Sequence, residues 1–147
     1  QGQVVLWTKR KDLCAETTWQ KVIKREDLPK IAIANPETAP YGEVAAKALK
    51  KTGLWKFVEP RLVYAQTVSQ AFQYAEIGGV DLSFTALSYA LSDEGKRGCY
   101  WPIPEAPSVV QEACILKRTP QKAAASKFLK FLTSNKVKPV LEKYGYR

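Results

Sequence analysis

Histidine is absent from all 147 residues, which removes the usual general base near neutral pH, the usual triad base and the commonest zinc ligand. Hydrolase and zinc chemistry therefore lack their ordinary parts. Methionine is absent as well, and the chain opens on Gln1 instead of a basic and then apolar leader, as expected of a processed or excised chain. No apolar run approaches the roughly 18 residues that a membrane-spanning helix needs. The three cysteines, Cys14, Cys99 and Cys114, match neither a CxxC pair nor a small disulfide scaffold. Free, mostly buried thiols are the expectation, with a Cys99–Cys114 bridge as the alternative in an oxidising space.

What is present is globular. Hydrophobic residues make up 46% and charged residues 25%, a balance that excludes disordered and collagen-like chains. The length suits one domain with a real core and is too short for two ordinary ones. Lysine and arginine number 23 against 14 acidic residues, a formal charge of +9, so an anionic partner is worth testing.

Periodicity gives an alternating order of elements. Residues 4–7 read as a strand, and the polar stretch 9–30 as loop with at most one helical turn. The β-branched run 31–34 ends at Asn35 and Pro36, which break a strand. Tyr41, Val44, Ala45, Ala48 and Leu49 then recur at helical spacing, with Pro40 at the first helical position, Lys47, Lys50 and Lys51 near the end and Gly53 as the stop. The unit repeats: residues 62–64 form a short strand, Thr67 is the N-cap, and Val68, Ala71, Phe72 and Ala75 share one helical face. Residues 82–87 make a buried strand, 88–93 a brief helix, and 100–103 and 111–116 further strands around a proline-rich loop. Pro120 opens a helix with Ala125, Phe128, Leu129 and Leu132 on its apolar stripe. Pro139 sets the start of the last helix near Lys138, because proline in a helix interior costs about 3 kcal/mol. Trp55, Phe72, Phe84 and Phe128 fall in or beside these apolar patterns and are expected in the core. Alternating strand and helix means an α/β layered sheet.

The informative positions are two strand-to-helix junctions, at 40–42 and 67–69. In α/β sheets, ligands bind beyond the carboxyl ends of strands. A helix N-terminus offers unsatisfied N–H donors and about half a positive charge, so two that converge would hold a small oxyanion without a buried Lys or Arg. Ordinary helix capping is the competing explanation.

At these junctions the residues carry a family resemblance. KIAIANPETAPYG at 30–42, with the following helix ending in Gly53-Leu54-Trp55, resembles the second lobe of periplasmic molybdate-binding proteins, the substrate-binding components of ABC transporters for molybdate and tungstate. TVSQAF at 67–72, GVDLSFTALS at 79–88, the stretch 111–116 and the ending FLKFLTS at 128–134 with Tyr144-Gly145-Tyr146 agree with it. NPETAPYG is the sharpest of these motifs, and the resemblance runs from about residue 30 onward. It implies one lobe of a type II periplasmic-binding-protein fold, a mixed, mostly parallel sheet flanked by helices. Within it, residues 1–29 would be a hinge-proximal strand and loop, 30–117 the ligand-binding core, and 118–147 the C-terminal helices.

The resemblance also implies a site. Backbone N–H groups of Tyr41 and Val68 would contact the oxyanion, with Thr38, Thr67 and Ser69 close enough in sequence to add hydroxyls, although capping suits Thr67 better. Some family members add a tyrosine hydroxyl from the third strand; Ala86 stands there, so that contact should be missing. Nothing in the sequence replaces the family's first lobe, so the chain should carry half a site and bind weakly. The ligand would be molybdate or tungstate, with no cofactor and no metal. The partners would be an inner-membrane ABC permease and, through the surface left by the missing lobe, a second copy. The location would be periplasmic, or a cell-surface lipoprotein in a Gram-positive or archaeal source.

Three other readings stay open at this point. Nucleic-acid binding suits the charge, but the basic residues form only small groups such as 9–11 and no binding motif accompanies them. Glu37, Glu43 and Asp81 could serve an enzyme, yet there is no GxGxxG, P-loop or GxSxG, and loop solvation or first-turn helix complementarity explains Glu37 and Glu43. A protein-interaction module is the third.

Overall fold

The computed structural model describes all 147 residues, Gln1–Arg147. The apolar runs extend as their composition demands: β1 (Val4–Thr8), β2 (Ile31–Ala34), β3 (Leu62–Ala65), β4 (Leu82–Ala86) and β5 (Cys99–Pro102) form one sheet in the order β3-β2-β4-β1-β5. β2 pairs parallel with β3 and β4, whereas β1 pairs antiparallel with β4 and β5. The sheet is mixed and mostly parallel, as expected: β2, β3, β4 and β5 run one way, and β1, inserted between β4 and β5, runs against both. Residues 9–30 hold a single 3-10 turn, Lys11–Leu13, and the short helix α1 (Trp19–Ile23).

Helices cover both faces. The alternation of side chains along β4 sends Leu82, Phe84 and Ala86 to one side, where they meet Ile31, Ile33 and the apolar stripe of α2 (Pro40–Lys51), Val44, Ala45, Ala48 and Leu49. The short helix α3 (Trp55–Val58) closes that side, with Val58 buried and Trp55 packed against the cluster. On the other side Val5, Trp7 and Ala32 pack with Ala71, Phe72 and Ala75 of α4 (Val68–Glu76). The buried indoles keep their donors satisfied: Trp7 donates to the Gly95 carbonyl at 2.9 Å and Trp101 to the Glu16 carbonyl at 2.7 Å. Arg61 donates to the carbonyls of Ile23, Arg25 and Leu28 at 2.7, 2.9 and 3.1 Å, closing the end of α1 against the loop before β3.

The cysteines do not follow the expectation of free thiols, nor its alternative. Cys14 and Cys99 form a disulfide with Cα atoms 5.8 Å apart, and Cys114 is free and exposed. The sheet register explains this: Cys99 lies opposite Thr8 at the end of β1, and the chain turns there through Lys11–Leu13 to present Cys14. The Trp101 bond to Glu16 holds the same loop.

Residues 110–147 depart from expectation in a consistent way. The expected strand at 111–116 does not form: the six residues have no pairing partner, and all are exposed. The last helices, α6 (Lys122–Leu132) and α7 (Lys138–Lys143), are present, yet beyond Val109 only Val137 is buried. Phe128, expected in the core, is 60% exposed, because no element lies over the apolar stripe of α6. This stretch also holds nine Lys and Arg against two Glu, so +7 of the chain's net +9 lies on it.

Closing a loop across 85 residues restricts the unfolded chain by about 4.6 kcal/mol on the loop-entropy account. Urea unfolding of Cys14→Ser with Cys99→Ser should show a loss of that order relative to the oxidised protein. Reduction of the oxidised protein should reproduce it.

Candidate functional site

Two loops at the carboxyl edge of the sheet carry the junctions singled out by the sequence. β2 and β3 are neighbours in parallel register, with Ala34 opposite Ala65, and the Asn35 N–H donates to the Ala65 carbonyl at 2.8 Å. The helices that follow these two strands lie on opposite faces of the sheet, α2 with the larger cluster and α4 with the smaller. That divergence defines a topological switch point, where open α/β sheets leave a crevice.

Asn35 organises the first loop, a role that its reading as a strand breaker did not anticipate. Its side-chain oxygen accepts from the Glu37 N–H at 2.9 Å, and its carbonyl accepts from Thr38 at 3.2 Å and Ala39 at 2.9 Å. The loop is therefore an Asx-type turn whose signal in the sequence is Asn two residues before Glu. α2 then starts with no side-chain cap: Ala39 stands at the N-cap, Pro40 has no N–H, and the first helical donor with a partner is Glu43, to the Ala39 carbonyl at 3.0 Å. The N–H groups of Tyr41 and Gly42 are left without an acceptor in the chain.

Gly42 determines where that helix end sits. A Cβ there would lie 2.0 Å from the Ala34 carbonyl oxygen and 2.6 Å from its carbon, so only glycine lets α2 approach the end of β2 so closely. The Tyr41 ring turns inward instead, into the larger cluster. Burial, then the neighbouring Tyr146 and Tyr89, push its phenol up to about 12.

At the second loop Thr67 is the N-cap as expected. Its hydroxyl accepts from the Gln70 N–H at 3.1 Å, while the Gln70 side chain accepts from the Gln66 N–H at 2.7 Å. The Thr67 and Ser69 hydroxyls are 3.0 Å apart. The N–H groups of Val68 and Ser69 have no acceptor in the chain, since the first backbone bond of α4 comes from Ala71 to the Thr67 carbonyl. Val68 packs against the same large cluster that holds Tyr41.

Thus Tyr41 and Val68 are both at free helix starts on one sheet edge, Ser69 beside Val68, Thr67 committed to its cap, and Thr38 exposed on the Asn35 turn. Thr38 and Thr67, one on each loop, are exposed, so the site opens to solvent. Ala86 closes β4 as a buried core residue. Two features were not foreseen: the Ser83 and Thr85 hydroxyls on β4 are buried without a hydrogen-bond partner, and they face the α4 side.

The carboxylates considered for catalysis have structural work. Glu43 pairs with Lys47 at 2.6 Å one turn along α2, Asp81 accepts from the Lys30 N–H at 3.0 Å and lies 3.5 Å from Arg10, and Glu37 is exposed on its loop. No group of three or more Cys, Asp or Glu side chains is placed to hold a metal ion.

A five-stranded mixed sheet with helices on both faces and a switch point at its carboxyl edge is an α/β lobe. The chain matches the family described as bacterial extracellular solute-binding protein over residues 1–147, and it belongs to that family. It is 33% identical over 147 residues to the molybdate-binding protein ModA of Rhodobacter capsulatus, covering 99% of this chain and 56% of the relative. The ModA protein of Azotobacter vinelandii is 33% identical over 149 residues, covering 99% and 58%. The solved periplasmic molybdate-binding protein of Azotobacter vinelandii superposes with a TM-score of 0.89 at 32% identity, over 99% of this chain and 64% of that one. The chain therefore spans little more than half the length of the relatives it matches.

Gly42→Ala should destabilise the chain by about 1–3 kcal/mol, because the neighbouring strand end must shift to admit the methyl group. A thermal midpoint equal to that of the parent chain would show that α2 has slack which the contact with Ala34 denies.

Proposed function

We propose that this chain holds one side of a tetrahedral oxyanion of the molybdate or tungstate type, as part of a solute-binding protein that serves an ABC transporter. The observation that carries the reading is the pair of unsatisfied N–H sets, Tyr41 with Gly42 and Val68 with Ser69, at two helix starts on one sheet edge. Such donors are fixed in place and need no reorganisation to meet a dianion, and each helix adds a partial positive charge. The likeness to molybdate-binding proteins supports this choice of ligand among oxyanions.

Tyr41 and Val68 supply the principal donors. Ser69 can add its hydroxyl, and Thr38 and Thr67 stand nearby. Binding, not catalysis, is the role, with the anion as ligand and no cofactor. An open face leaves the far side of the anion in water, where it competes with every hydrogen bond the protein offers, so affinity should be modest. An inner-membrane permease would be the macromolecular partner, and the periplasm or the outer cell surface the location. The disulfide suits such a compartment. The unburied apolar residues between Val110 and Tyr144 form the surface available for self-association.

Val68→Pro tests the reading cleanly. Position 68 is the first of α4, where proline is tolerated, and Thr67 already has the extended backbone that a following proline requires. The variant loses one N–H together with part of the Val68 side-chain contact with the core. Isothermal titration with molybdate, tungstate and sulfate should give affinity well short of nanomolar for the parent chain, weakened about 10- to 100-fold in Val68→Pro, in line with a hydrogen bond to a charged group. Equal affinity in the variant would remove Val68 from the site. A nanomolar constant for the parent chain, with a light-scattering mass of one copy, would overturn the half-site reading.

A further inference from the structure

Gly2 is buried, and two aromatic rings meet over its backbone. A Cβ at Gly2 would fall 2.1 Å from the Tyr41 hydroxyl and 3.6 Å from the Tyr146 ring. One ring comes from the first turn of α2, the other from the C-terminal turn. Gly2 itself is fixed by paired bonds with Val109, each 2.8 Å, at the point where the packed body gives way to the exposed residues 110–147.

The C-terminal turn sits on the packed body at few places. Tyr146 brings its hydroxyl to 3.3 Å from that of Ser88, at the start of α5 (Leu87–Ala90). Gly145, at φ +76, turns the chain back after α7, and a Cβ there would meet Leu87 at 2.5 Å. The Tyr146 N–H closes the turn on the Leu141 carbonyl at 2.9 Å, and the Arg147 N–H donates to the Gln1 carbonyl at 3.0 Å. With only Val137 buried in the preceding stretch, these contacts with Tyr41, Leu87, Ser88 and Gln1 are the main seating of the C-terminal segment.

Tyr41 is thus held from two directions. Gly42 sits close against the Ala34 carbonyl, and the hydroxyl end of the Tyr41 ring meets the edge of the Tyr146 ring over Gly2, so a shift of either side chain bears on the start of α2. We propose that Tyr41 couples the anion site to the seating of the C-terminal segment, with Tyr146 as the positioning residue. This rests on the oxyanion reading above: an anion on the Tyr41 N–H favours the seated Tyr146, and by reciprocity a seated Tyr146 favours the anion. The meeting of the two side chains over Gly2 carries the coupling, and the hydroxyl contact to Ser88 is secondary.

Hydrogen exchange read by mass spectrometry on the parent chain, with and without millimolar sodium molybdate, tests this without any variant. Peptides covering 1–3 and 141–147 should exchange more slowly with the anion present. Tyr146→Ala should weaken molybdate binding about fivefold and abolish that protection, whereas Tyr146→Phe should keep both. A Tyr146→Ala chain whose thermal midpoint falls while its molybdate constant is unchanged would make Tyr146 merely structural and overturn the coupling. Binding by the parent chain without slower exchange at its C-terminal peptide would also overturn it. No binding by the parent chain at all would overturn the oxyanion reading and take this inference with it.

Discussion

The close approach of Gly42 to the Ala34 carbonyl fixes the geometry on which the site depends. It seats the first turn of α2 directly on the end of β2, so the donors of Tyr41 and Gly42 open at the sheet edge and not out along the helix flank. The parallel register of β2 with β3 then sets the height of the second loop, because Ala34 and Ala65 are opposite each other and Asn35 bonds across to Ala65. Everything else in the two loops, from the uncapped Ala39 to the capped Thr67, is arranged around those two constraints.

The contrast between the two helix starts is instructive. α4 satisfies its third donor with Thr67 and the preceding loop with Gln70, whereas α2 uses an alanine and a proline, which leave nothing to compete with an external acceptor. A self-capped α2 would gain about 1 kcal/mol of helix stability. Its absence leaves the two donors open to an external acceptor, and the loss is small beside the apolar packing of Val44, Ala45, Ala48 and Leu49 underneath.

Local chemistry was readable wherever it was decided locally. The run 31–34, the Pro40 start, the Thr67 cap and the helical stripes of α2 and α4 are settled within a few residues, and the structure places them where their pattern indicates. The quantities fixed by distant partners were not readable. Cys14 finds Cys99 only because β1 and β5 pair; Arg61 finds three carbonyls 33–38 residues away; and 111–116 has strand-like composition but nothing to pair with. Phe128 shows the same limit in reverse, since an apolar stripe announces burial without saying which surface will cover it. Helix starts are local features and were legible for that reason, whereas the insertion of β1 between β4 and β5 is a property of the whole strand order.

The cysteine arrangement bears on how the molecule acquires its native covalent structure. Three thiols allow three single bridges, and the native one closes the 85-residue separation, not the 15 residues between Cys99 and Cys114. In an unfolded chain the shorter loop is favoured by about 1.5 kcal/mol in closure entropy. Oxidation before β5 docks on β1 would therefore populate the wrong bridge first, and the Cys14 thiolate would have to attack its Cys99 sulfur to release Cys114. The third cysteine makes this protein's oxidative maturation depend on the order of two events, strand docking and thiol oxidation.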